Sequence, residues 1–242
     1  MKSTSETGHV TNVANFAEIL SRISTMGTAY APSNPSYALP TLQAQHMAAK
    51  NALQNLIDRN TAFNNAVNER MDHFSDLKFL ATRVVSAIKA CNPGHEIIKD
   101  AVAINRKFTG RRAKALPAVS PETPAPKTIS VSQLSYDSLI QHFKTMISLA
   151  MSVPNYAPNE TVLSIAGLNA KLADMETSND GVSTAYTHLC DARNVRLTIL
   201  YSHQTGLVDT GLGVKNYIHA AFGNSSGQYN SVRKIKLRNI RK

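Results

Sequence analysis

Histidine and cysteine are the side chains of this sequence best suited to catalysis or metal binding, but their spacing favours neither. The eight histidines are scattered, and none forms the HExxH pattern of a zinc site. His188 and Asp191 could share a helix face, yet a nucleophile and its base need closer partners than this. No P-loop, GxGxxG or CxxC motif occurs. We therefore predict no enzyme activity, no cofactor, no metal and no small-molecule substrate. A hydrolase with scattered catalytic residues is the alternative, which a pocket of converging His and Asp side chains would favour.

The remaining candidates are better explained as structural residues. His46 and His73 fall on or beside an apolar helix face, where a core histidine is usual. Cys91 and Cys190 each have apolar neighbours in a helical pattern, so we expect small buried side chains and no disulfide. That expectation favours a reducing, cytoplasmic location. No signal-peptide pattern and no apolar run of about 20 residues occurs, so we expect no membrane span.

Basic side chains give the strongest functional signal, because two segments hold the whole charge excess. The formal net charge is +10 from 26 basic and 16 acidic residues. Eleven of the basic residues lie in two segments that contain no acid, and the rest of the chain is nearly neutral. These eleven are Arg106, Lys107, Arg111, Arg112, Lys114, Arg233, Lys234, Lys236, Arg238, Arg241 and Lys242.

Such clusters attract polyanions such as nucleic acid, anionic lipid or an acidic protein. Aromatic side chains for base stacking are scarce, since only Phe108 and Tyr229 are near. Contact with phosphate and no sequence readout is therefore the expectation for nucleic acid. The other interpretation is that both segments are solvated ends. The last segment, SVRKIKLRNIRK, is expected to be an exposed tail that adds little to the core.

The elements that carry these segments are predicted to be helices. Thr41 to Cys91 contains no Gly or Pro, and its apolar residues recur at alternating gaps of four and three, which is typical of a coiled-coil-like helix. We predict one helix from Thr41 to Ala90, which Asn92, Pro93 and Gly94 should end. We expect a second long helix from Leu168 to Leu200, continuous through Gly181. The apolar faces also contain polar residues expected to be buried and to fix register: Asn60, Arg70, Asn179 and Arg193.

Two similar halves are predicted from repeated features. Tyr-Ala-Pro occurs at residues 30–32 and 156–158, each time between two helical patterns, and residues 84–88 resemble residues 214–218. We predict an all-α fold: an elongated helical bundle with two long coiled-coil-like helices and an internal duplication of a three-helix unit. The expected domains are a first repeat (1–107), a basic, Pro-rich linker (108–131), a second repeat (132–225) and a basic C-terminal tail (226–242). Ser135 or Asp137 should cap the first helix after the linker.

The C-terminal half contains a Tyr-Ala-Pro-Asn-Glu turn and, before a basic end, Tyr217, Phe222, Gly223, Ser226 and Tyr229. With these residues it resembles an uncharacterised group of bacterial helical proteins of unknown function. The resemblance implies a bacterial source and brings no activity.

The sequence favours a non-enzymatic structural, assembly or scaffold protein, with self-association or a protein partner. The alternative is a protein that binds nucleic acid or another polyanion through the two basic segments without sequence specificity.

Overall fold

The computed structural model describes residues 4–110 and 133–240. Within these ranges the fold is all-α, as predicted, and no strand occurs. No helix in this part of the chain combines the length and the apolar character needed to cross a membrane. The α-helices are α1 (Thr4–Met26), α2 (Leu39–Ser75), α3 (Leu77–Ala90), α4 (His95–Thr109), α5 (Tyr136–Ser152), α6 (Ile165–Tyr201), α7 (Leu207–Phe222) and α8 (Gly227–Arg233).

In the described residues the α-helices of the two halves follow the same order, and the first half has one more 3₁₀ helix, Gly27–Ala29. In the described residues each half has four α-helices, so the prediction of a three-helix unit is wrong. The second helix of each half, α2 and α6, has 37 residues. Each Tyr-Ala-Pro turn leads to a short 3₁₀ helix, Pro35–Tyr37 or Thr161–Leu163, just before the long helix. The tripeptide therefore marks a helix-to-helix turn in both halves, as predicted.

The first long helix is interrupted, which corrects the prediction of one helix from Thr41 to Ala90. Asp76 separates α2 from α3, with φ −93° and ψ −4°. The Ser75 hydroxyl donates to the Asp72 carbonyl at 2.8 Å, and the Asp76 carboxylate pairs with Lys171 Nζ at 2.6 Å. Hydroxyls that bond the preceding turn bend helices, so the Ser75 bond favours a break at this point.

The buried face of the long helices largely follows the predicted pattern. Helix α6 runs through Gly181, as expected, since one Gly costs only ~1 kcal/mol in a helix. Arg70 Nη1 donates to Asn179 Oδ1 at 3.1 Å, and the Arg70 guanidinium lies 4.0 Å from the Tyr136 ring centroid. Asn60 and Arg193 are exposed, so their predicted burial is wrong. Two polar residues of the pattern thus meet, while the other two face solvent.

The helices form two compact units that do not coincide with the two halves of the sequence. Unit 1 contains residues 1–63 and 185–242, and unit 2 contains residues 64–184. In unit 1, α1 packs on α7 and α8; in unit 2, α3 and α4 pack on α5. Each unit thus combines the first helix of one half with the last helices of the other. The largest fully buried side chains include Phe16 and Ile19 in unit 1 and Phe108 and Phe143 in unit 2.

Candidate polyanion-binding surface

The described part of the C-terminal segment is packed onto unit 1, which corrects the expectation of an exposed tail. Helix α8 begins at the Ser226 cap, whose Oγ accepts from the Tyr229 backbone N–H at 3.1 Å. Val232, Ile235 and Leu237 are then buried, with exposed fractions of 0%, 7% and 9%. The basic residues between and after them are exposed. We call these four residues the C-terminal basic surface: Arg233, Lys234, Lys236 and Arg238.

Two asparagines of α1 hold the backbone of this segment. Asn12 Nδ2 donates to the Arg238 carbonyl at 2.7 Å, and Asn12 Oδ1 accepts from the Arg238 backbone N–H at 3.0 Å. Asn15 Nδ2 donates to the Lys236 carbonyl at 2.7 Å. Because these bonds use only backbone atoms of the segment, the Lys236 and Arg238 side chains stay available to solvent.

A lysine of α7 fixes the turn between α8 and the segment. Lys215 Nζ donates to the Arg233 carbonyl at 3.1 Å and to the Ile235 carbonyl at 2.8 Å. Burial lowers the pKa of Lys215 below its usual range. The carbonyls at and just after the C-terminal end of α8 thereby gain a donor that the helix itself cannot supply.

Asn12 also belongs to a buried polar cluster with His9 and Tyr201. His9 Nδ1 lies 2.6 Å from the Tyr201 hydroxyl, which also accepts from Asn12 Nδ2 at 3.2 Å. Burial raises the pKa of Tyr201, opposed by the Asn12 hydrogen bond and the Arg196 charge. A buried polar cluster stabilises the fold only when each member has its hydrogen-bond partners. The bond from Asn12 to Tyr201 therefore also holds the Asn12 side chain in one orientation.

An apolar contact completes the attachment. A Cβ added to Gly211 would collide with the Leu237 side chain, and Phe16 lies alongside. Only glycine therefore lets Leu237 approach α7 so closely. The segment is fixed by packing on one side, and its charges project on the other.

Within the part of the chain that the structure describes, no acidic side chain compensates the charge of the C-terminal basic surface. Among the described residues, none of its four side chains forms an ion pair with an acid. A cavity of ≈ 490 Å³ opens beside it against α1, and both Lys236 and Arg238 line it. Unpaired cations on a fixed backbone attract anions without first breaking an internal ion pair.

The other predicted site residues are elsewhere or undescribed. Arg106 and Lys107 lie in the last turn of α4, in unit 2, and are exposed. Each basic segment thus begins in the last turn of the fourth helix of its half. The joint action of the two segments stays a prediction, and the rest of the set lies outside the described residues: Arg111, Arg112, Lys114, Arg241 and Lys242.

Asn12, Asn15 and Lys215 position this surface and were not identified from the sequence. Asn12 and Arg238 are 226 residues apart. Asparagine is common throughout the chain, and no local pattern distinguishes these two. The alternation of Val232, Ile235 and Leu237 with basic residues was the only sequence signal that one side of the segment is buried.

The residues on which the bacterial resemblance rests have structural roles in helix ends and aromatic packing. Ser226 caps α8, and Gly223 ends α7 with φ 83°. Tyr229 packs on His219 with ring centroids 4.7 Å apart, and Tyr217 packs edge-on against Tyr30 at 5.4 Å. These contacts define a helix end and a turn, and they supply no reactive group.

The candidate catalytic and structural residues are dispersed. His188 and Asp191 are both exposed on α6, and neither a hydrogen bond nor an ion pair joins them. His46 stacks on Phe16, and burial together with the Lys50 charge lowers its pKa. Cys91 and Cys190 are free and half-buried. In residues 4–110 and 133–240, no group of three or more His, Cys, Asp or Glu side chains could hold a metal ion.

Comparisons of the chain with protein-family models, with curated proteins and with solved structures return no match.

Proposed function

We propose that the protein binds polyanions without enzymatic chemistry, with the phosphate backbone of nucleic acid as the expected ligand. The observation that carries the proposal is the C-terminal basic surface. Its four cations are exposed and unpaired among the described residues, on a segment whose buried side chains and backbone are held by unit 1. Such a surface loses little chain entropy on binding, because its backbone is already ordered.

The chemistry of the surface favours charge contact over base readout. Phe108 is fully buried in unit 2, and Tyr229 is engaged with His219. Neither is available to stack on bases, which single-strand binding proteins use to add affinity. We therefore expect similar affinity for different sequences and a strong dependence on salt.

The test is the salt dependence of binding to a fluorescent DNA duplex, followed by anisotropy. The variant changes Arg233, Lys234, Lys236 and Arg238 to Gln, which keeps a polar side chain with two methylene groups and removes the charges. If all four contact phosphate, the slope of log K against log salt should fall by about 3 to 4, since each contact contributes ~0.9. Helix content should be unchanged, because these side chains are exposed.

A matched control distinguishes binding by this surface from binding that depends only on the net charge of the protein. Lys50, Arg59, Lys78 and Lys89 are also exposed and unpaired in the described structure. Changing these four to Gln lowers the net charge by the same amount as the first variant does, and it should leave most of the slope of log K against log salt unchanged. Equal losses in both variants, or no binding by the unaltered protein at low salt, would refute the proposal.

Assembly with another protein or with further copies is the second candidate function, and an exposed apolar pair in unit 2 supports it. Phe79 is 79% exposed and Val162 is 51% exposed. Both line one cavity of ≈ 240 Å³. Large apolar side chains grouped at the surface are typical of contact sites. Light scattering of a Phe79→Ser, Val162→Ser variant tests this role, which predicts a smaller particle than the unaltered protein forms.

We also propose that the chain arose by duplication, as the sequence repeat predicts. The equal lengths of α2 and α6 support it. So does a shared hydrogen bond: Tyr30 Oη donates to the Tyr37 carbonyl at 2.8 Å, and Tyr156 Oη donates to the Leu163 carbonyl at 2.9 Å. Both bonds span seven residues and close the same turn.

A further inference from the structure

Unit 2 contains an open cavity beside its Tyr-Ala-Pro turn. Its volume is ≈ 770 Å³, and it lies between the outer face of α3 and the turn at Tyr156. We call it the Tyr156 cavity. Its walls include Arg83, Ala87, Tyr156, Glu160 and Leu163. The volume falls within the range of about 300–1,000 Å³ that is typical of small-molecule sites.

The corresponding place in unit 1 is occupied by tyrosine side chains. There α7 packs on the 3₁₀ helix Pro35–Tyr37, as α3 packs on Thr161–Leu163 in unit 2. The Tyr217 ring packs edge-on against Tyr30, at 5.4 Å and 87°. The Tyr37 hydroxyl touches Gly213 so closely that a Cβ there would collide with it. The turn of unit 1 is therefore covered by its own aromatic rings.

The same positions of unit 2 carry smaller or charged residues. Val84 and Ile88 of α3 match Val214 and Ile218 of α7, and all four are 0% exposed. With this alignment, Ala87 of α3 is equivalent to Tyr217 of α7, and Arg83 is equivalent to Gly213. The tyrosine hydrogen bond that both turns share makes Leu163 the equivalent of Tyr37.

The missing rings account for the exposure of the second turn. Tyr30 is 9% exposed, whereas Tyr156 is only half-buried. Unit 2 thus has the same hydrogen-bonded turn, at Tyr156, but it has Ala87 at the position from which the Tyr217 ring covers the turn of unit 1. An aromatic ring from outside the chain would find the same packing surface that Tyr217 uses in unit 1.

The charges at the cavity indicate what the ring carries. Arg83 and Glu160 both line it and are exposed, and neither has an ion-pair partner among the described residues. A guanidinium recognises a carboxylate through paired hydrogen bonds, and a carboxylate accepts from an ammonium group.

We propose that the Tyr156 cavity binds a small aromatic amino acid or a close derivative. Its ring packs on Tyr156 in the position that Tyr217 occupies in unit 1. Its carboxylate faces Arg83, and its amino group faces Glu160. This site is independent of the C-terminal basic surface, and no sequence pattern indicated it.

The experiment is isothermal titration calorimetry of the full chain with L-phenylalanine. We expect one site with a dissociation constant between micromolar and millimolar. Phenethylamine, which lacks the carboxylate, and β-cyclohexylalanine, which lacks the aromatic ring, should each bind at least tenfold more weakly. Absence of L-phenylalanine binding, or equal binding of either analogue, overturns the proposal.

Two variants locate the site. Ala87→Tyr copies unit 1 and should abolish binding by filling the cavity. Arg83→Gln changes an exposed side chain, so it should weaken binding at least tenfold without affecting folding. Arg59→Gln, on α2 in unit 1, removes an equal charge and should leave the affinity unchanged. Binding that survives both Ala87→Tyr and Arg83→Gln overturns the proposal.

Discussion

Leu237→Ala tests whether the C-terminal segment belongs to the core of unit 1. Leu237 is 9% exposed and packs into the notch at Gly211 beside Phe16. The substitution removes three carbon atoms, each contributing ~0.8 kcal/mol on burial, so the transfer part is about 2 kcal/mol. The notch is lined by backbone and a fully buried ring, which relax little, so a cavity contribution is added. We expect the free energy of unfolding to fall by about 2–4 kcal/mol.

The assay is urea denaturation followed by far-ultraviolet circular dichroism, with the neighbouring Lys236→Ala as the matched control. Lys236 is exposed, and among the described residues only its backbone carbonyl is hydrogen-bonded, to Asn15. Its substitution should therefore change the unfolding free energy by less than about 0.5 kcal/mol. The slope against urea should be unchanged in both variants, since the native fold persists.

Two results would refute the reasoning. A loss below about 0.5 kcal/mol for Leu237→Ala would mean that the segment is a solvated tail, as the composition alone suggested. Equal losses for Leu237→Ala and Lys236→Ala would mean that side-chain burial is not what attaches it.

Two further predictions concern unit 2. Phe74 is 9% exposed and Phe79 is 79% exposed. In the same denaturation assay, Phe74→Ala should lower the free energy of unfolding by about 3–5 kcal/mol, and Phe79→Ala should lower it by less than about 0.5 kcal/mol. Similar losses in the two variants would contradict the assignment of Phe74 to the buried face and Phe79 to the exposed face. Burial, with the Lys107 charge adding to it, lowers the pKa of His142 below 6.5, so the unfolded chain takes up the proton first as the pH falls. The associated stability is present above the unfolded pKa and is lost as the pH falls below it toward the folded pKa. His142→Phe should flatten the fall in melting temperature over that window, whereas His95→Phe, at an exposed position, should retain it; unchanged pH profiles in both would exclude His142 as the cause.

Local chemistry made much of the helical pattern predictable from the sequence. Spacings of three and four residues identified Leu42, Leu168 and Met175 as buried, and each is 0% exposed. Ser135 was one of two predicted caps, with Asp137, and its Oγ accepts from the Ser138 backbone N–H at 3.2 Å. These features were accessible because a helix face and a cap depend on residues within one or two turns of each other.

Tertiary structure decided what depends on partners distant in the sequence. The break at Asp76 accompanies an ion pair with Lys171, and the C-terminal segment is attached through Asn12, 226 residues from Arg238. The Tyr156 cavity reflects Ala87 where the other unit has Tyr217, a difference that matters only once α3 packs on the turn. Side-chain spacing determines which face of a helix is apolar. Which groups meet that face, and which charges are left without a partner, is set by contacts that form only when the chain folds.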